Sequence, residues 1–171
     1  MAIEMPAVKG HPNRVAFRGV LTMVDIASDR APSGARGHRV LLTRAAAEAA
    51  IPSLMGMGLD YSPALDRHDT RRKIGVITRA EIVGRLVEVG GFLYARDFPE
   101  IVAEIGRPSR TGAAGRGSER TTGLGMSYEL TDAFVEDITA GVWVLNRVTF
   151  TGAAVLRRDK AAYRSTWIEL G

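Results

Sequence analysis

The chain has 171 residues, no cysteine, a formal net charge of +4 and a sequence pI near 9.8. That length allows one domain with a sizeable core and no need of metals or disulfides. The missing cysteine excludes a disulfide framework, a thiolate zinc site and a cysteine nucleophile, and leaves the redox compartment undetermined.

The positive charge comes from arginines scattered among aspartates and glutamates. No basic run is interleaved with aromatics, which make up only 6% of the chain, so a nucleic-acid stacking surface is not expected. No apolar run approaches the length of a membrane span, and Met1 to Gly10 lacks the apolar core of a signal peptide, so a cytoplasmic protein is expected.

Residues 1–13 hold two prolines and a glycine and read as a flexible arm. Arg14 to Val24 alternates as a first strand, Asp25 to Gly37 has loop composition, and His38 to Leu42 is a short strand. Thr43 is a good N-cap for the alanine-rich run after it, a helix expected to break near Ile51 because Pro52 follows. Gly56 and Gly58 punctuate the chain before a polar turn, Asp66-Arg67-His68-Asp69.

Ile74 to Ile82, Leu86 to Val89 and Phe92 to Ala95 read as adjacent antiparallel strands, the last two joined by a Gly90-Gly91 turn. Pro99 opens a helix of about two turns ended by Gly106. Residues 107–122 carry no large apolar residue and are expected to form a mobile loop. Asp132 to Ala140 is mixed, Val142 to Leu156 is a long strand, and Ala161 to Leu170 closes the chain as a helix or a strand.

The segment from Gly123 to Thr131 organises the rest. Strand alternation puts Leu124, Met126, Tyr128 and Leu130 on a core face and Gly123, Gly125, Ser127, Glu129 and Thr131 on the other. The glycines before Ser127 leave room for a substrate backbone, which makes its hydroxyl a candidate nucleophile beside the simpler reading of a water-facing serine. Of the three histidines, His11 lies in the arm and His38 opens a short strand. His68 sits among carboxylates that can orient an imidazole.

His68 in Asp-Arg-His-Asp, Ser127 in Gly-Met-Ser-Tyr, and the later segment Phe150-Thr151-Gly152-Ala153-Ala154-Val155-Leu156 together resemble the prohead (capsid maturation) serine proteases of tailed phages, over roughly residues 14 to 165. The resemblance implies a mainly β, α+β fold like that of herpesvirus assemblins, a closed antiparallel barrel flanked by helices. It implies a serine endopeptidase that cleaves scaffold and major capsid proteins inside the immature capsid, in the host cytoplasm. No cofactor, metal or membrane is implied, and a homodimer is left as an option. Ser127 would be the nucleophile and His68 its general base.

Such enzymes usually draw a third member from the strand after the serine, but Asn146 to Val155 offers no Asp, Glu or His. Thr149 is then the expected orienting residue, with Thr151, Asp66 and Asp69 as alternatives. Arg157 and Arg158 resemble the arginine pair that supports the oxyanion in assemblins. The weak third member also favours a rival, a capsid- or scaffold-associated protein with this fold and little or no turnover.

Overall fold

The computed structural model describes residues 1–107 and 123–171, so the expected 107–122 loop lies, apart from Arg107, outside the described residues. Within them the chain is mainly β with two α-helices, an α+β arrangement on one curled sheet. In chain order the elements are β1 (Val15–Met23), β2 (Arg39–Leu42), α1 (Arg44–Leu54), β3 (Gly58–Asp60), β4 (Lys73–Val83), β5 (Leu86–Leu93), α2 (Pro99–Ile105), β6 (Leu124–Val135), β7 (Val142–Arg157) and β8 (Trp167–Leu170). The closing segment is thus a strand, preceded by an irregular stretch.

The strands run in the order β2-β7-β3-β4-β5-β1-β8, with β6 on β7. The long β7 is the spine. Antiparallel β6 follows it from Leu124 opposite Arg157 to Val135 opposite Leu145, while parallel β2 and β3 share its other edge. The sheet then curls until β1 packs on β6, where a Cβ at Gly19 would lie 2.7 Å from Met126 Sδ.

The expected closed barrel is not formed. Among the described residues no ladder joins β6 to β8; the Met126 N–H donates instead to Thr166 Oγ1 at 3.1 Å. The 158–166 segment wedges between the two edges, since a Cβ at Gly125 would meet Thr166 Oγ1 at 2.6 Å and Ala161 Cβ at 3.3 Å. An open half-barrel results.

Local chemistry explains the elements. Thr43 Oγ1 caps α1 by accepting the Ala46 N–H at 3.1 Å, and the Ala46, Ala47, Ala50, Ile51 and Leu54 stripe is buried against the sheet. Pro52 does not end α1 at Ile51, because the helix has only two more residues and the hydrogen bond lost is to the carbonyl of exposed Glu48. The core holds Leu21, Leu42, Leu59, Ile77, Met126, Phe150 and Ile168, all fully buried.

One other expectation is corrected. The β4–β5 hairpin turns at Gly84, whose φ is +61°, and Gly90-Gly91 lies inside β5. There Gly91 admits a crowded β4, since an added Cβ would lie 1.9 Å from Val76 O. The arm is tied at its start: Met1 and Ala80 exchange hydrogen bonds, and the Ile3 N–H donates to Thr78 O at 2.7 Å, on the β4 edge that β3 leaves.

Candidate active site

Ser127 and Glu129 are two residues apart on β6 and share its outward face. Their α-carbons are therefore about 7 Å apart, a gap that one imidazole can bridge with its two nitrogens. His68 does so from the loop between β3 and β4: Nε2 lies 3.0 Å from Ser127 Oγ, and Nδ1 lies 3.0 Å from Glu129 Oε1. The His68 side chain is 25% exposed and that of Glu129 12%.

Burial opposes ionisation of Glu129, but hydrogen bonds from His68 and Asp60 and the charge of Lys73 outweigh it and hold the carboxyl down at about 2. An ionised Glu129 accepts, so Nδ1 carries the proton and Nε2 is left to accept from the Ser127 hydroxyl.

The His68 loop is anchored at both ends. Leu65 O accepts the Arg157 N–H at 2.7 Å, and the Asp69 N–H donates to Asp60 Oδ1 at 3.0 Å. Between them Ser62 Oγ donates to Asp66 Oδ1 at 2.9 Å. The imidazole is thus delivered by a loop pinned to β7 and to the end of β3.

Behind Glu129 lies a charged layer. Lys73 Nζ is 3.2 Å from Asp60 Oδ2 and 3.6 Å from Glu129 Oε2. Asp60 is fully buried, and burial first, then the hydrogen bond and charge of Glu129, raise its carboxyl from 3.8 to about 7 against the opposing Asp69 N–H and Lys73. Donor atoms of Asp60, His68 and Glu129 fall within 4.8 Å of one another. Two of these three, Asp60 and Glu129, also face the Lys73 ammonium.

Two glycines make this layer possible. A Cβ at Gly152, opposite Glu129 on β7, would meet Glu129 Oε2 at 2.6 Å and Gly58 O at 3.1 Å. A Cβ at Gly58 would meet Lys73 Cδ at 2.5 Å. Bare backbone on β7 and β3 is where the carboxylate and the lysine stem fit.

The residues expected at the site are distributed as follows. Ser127 and His68 come together. Thr149 does not join them: it faces Thr131 in the β6–β7 ladder, while Thr151 is the exposed residue skipped where the register shifts between Glu129 and Leu130. Asp66 binds Ser62, and Asp69 lies 3.6 Å from Arg72, so neither is the imidazole's partner.

Arg157 pairs with Leu124, three rungs from Ser127 and so about 10 Å along the strand; its Nε lies 3.3 Å from Asp159. The Arg158 N–H donates to Gly123 O, and Lys160 is the basic residue of that turn that lines the cleft. Gly125 is buried against Thr166 and Ala161, so it serves packing and not substrate approach. His38 stacks on Trp143 at 4.5 Å, and His11 Nδ1 accepts the Asn13 N–H at 3.1 Å.

A cleft of about 650 Å³ opens over Ser127 and His68. Pro32, Val40, Val135, Trp143, Leu145 and Leu156 give it an apolar wall, and Arg67 and Lys160 add positive charge. No family model and no curated protein matches the chain. Among the described residues no helix is long and apolar enough to cross a membrane.

Proposed function

We propose that the chain is a serine endopeptidase with Ser127 as nucleophile, His68 as general base and Glu129 as the acidic third member. The observation that carries this reading is the unbroken row Ser127 Oγ, His68 Nε2, His68 Nδ1, Glu129 Oε1, with both hydrogen bonds at 3.0 Å, beside a cleft large enough for peptide side chains.

His68 Nε2 takes the hydroxyl proton as Ser127 Oγ attacks the scissile carbonyl, and the imidazolium then gives that proton to the leaving amine. The acyl-enzyme is hydrolysed by water, with His68 again the base. Glu129 fixes the tautomer and stabilises the imidazolium, which a threonine at this position cannot do.

The substrates proposed are scaffold and capsid proteins of a maturing phage prohead. The histidine-then-serine order and a mainly β fold support this assignment. The rival, a capsid-associated protein without turnover, drew its support from a missing acid, and Glu129 removes that ground.

The test is covalent labelling by a fluorophosphonate, with Ser127→Ala and His68→Ala as controls. A phosphonyl adduct mapped to Ser127 and lost in both variants supports the assignment. A folded wild-type chain that stays unlabelled overturns it.

A further inference from the structure

We infer that Lys73, itself held by Asp60, is a positioning residue that aims Glu129 at His68; its effect on turnover rests on the peptidase reading above. Glu129 has two carboxylate oxygens and a flexible stem, so its hydrogen bonds with His68 and Asp60 do not by themselves choose which oxygen meets the imidazole. The Lys73 ammonium, 3.6 Å from Oε2, takes the second oxygen and leaves Oε1 for the imidazole at 3.0 Å.

Asp60 ties this clamp to the base. One of its oxygens lies 3.2 Å from Lys73 Nζ, and the other accepts the Asp69 N–H from the residue next to His68. A fully buried carboxyl that touches both the clamp and the His68 loop fixes the relative placement of base and acid. Lys73 and Asp60 face each other in the β3–β4 ladder, so rigid backbone sets their separation.

The fit of the lysine is built into β3 as well. Its stem crosses Gly58, where any Cβ would stand 2.5 Å from Cδ, and the carboxylate it clamps crosses Gly152. Charge placement alone needs no such clearance. Two bare positions on neighbouring strands, one under the clamp and one under its target, point to a particular side-chain path.

The test uses the full chain and two readouts. The first is the downfield proton resonance of His68 Nδ1–H, assigned by its loss in His68→Gln. The second is the rate of fluorophosphonate labelling at Ser127. Lys73→Met is expected to weaken or abolish the resonance and to slow labelling about tenfold to a hundredfold, while Lys73→Arg, which keeps the charge, recovers part of both. Gly58→Ala displaces the stem without removing the charge and is expected to act in the same direction, which decides the matter if Lys73→Met does not fold.

A folded Lys73→Met chain with resonance and labelling unchanged overturns the inference, as does an unchanged Gly58→Ala chain where that variant decides. A wild-type chain that shows the resonance, loses it in Lys73→Met and is never labelled leaves the clamp standing and defeats the peptidase reading alone.

Discussion

Glu129 Oε1 lies 3.0 Å from His68 Nδ1, and the strand that supplies it also supplies Ser127 two residues earlier. Nucleophile and acid therefore move as one rigid unit, and His68 is the only member of the row that comes from a loop. Removing the acid should cost far more than removing any threonine of β7. Glu129→Gln is expected to lower kcat/KM about 10³- to 10⁴-fold, by the loss of imidazolium stabilisation and of the correct tautomer. Thr149→Val is expected to stay within about twofold of wild type. Rates on a peptide substrate check both, and a larger loss in Thr149→Val than in Glu129→Gln would contradict the assignment of the third member.

Gly152 gives a second handle on the same carboxylate. Alanine there would place a methyl group 2.6 Å from Glu129 Oε2 and 3.1 Å from Gly58 O, so the side chain must swing away from His68. A displacement near 1 Å at a catalytic contact costs about a hundredfold in rate. Gly152→Ala is expected to lose activity on that scale while unfolding only slightly below the wild-type temperature. Full activity in a folded variant would show that the carboxylate position does not matter.

The buried carboxyls make stability depend on pH in opposite senses. Asp60 keeps its proton in the folded chain up to about pH 7 against 3.8 when unfolded, so the stability linked to it is complete below 3.8 and is lost as pH rises through 7. Glu129, lowered from 4.5 to about 2, contributes stability that is present above 4.5 and is lost as pH falls toward 2. Between pH 4.5 and 7.5 the Asp60 trend is the one that changes. Thermal melts should show wild type losing stability relative to Asp60→Asn across that interval, and parallel curves would contradict the raised Asp60 carboxyl.

The first strand, the long β7, the Thr43-capped helix and the placing of Ser127 with Glu129 on one face follow from alternation and turn chemistry and are legible in the sequence, whereas β3 and the Gly84 turn are not. Glu129 was legible too, because the same alternation puts it on the Ser127 face. It is missed when the third member is sought on the strand after the serine, where Gly152 instead leaves the space that Glu129 fills. The Lys73–Asp60 layer is not legible, since it depends on the pairing of β3 with β4 and on clearances at Gly58 and Gly152 that only the packed sheet reveals. The open edge has a similar origin. Nothing in the spacing of Trp167 to Leu170 announces that Thr166 will take the Met126 N–H in place of a ladder.

Peptidase activity requires that Ser127 be a nucleophile activated by His68. The most direct measurement is mass spectrometry of the intact chain after exposure to a fluorophosphonate, followed by peptide mapping, with circular dichroism to confirm that each variant is folded. One adduct is expected on Ser127 in wild type, none in Ser127→Ala, and labelling slowed at least about a hundredfold in His68→Ala. A folded wild-type chain with no adduct, or an adduct that persists on another serine in Ser127→Ala at the wild-type rate, would contradict the peptidase reading.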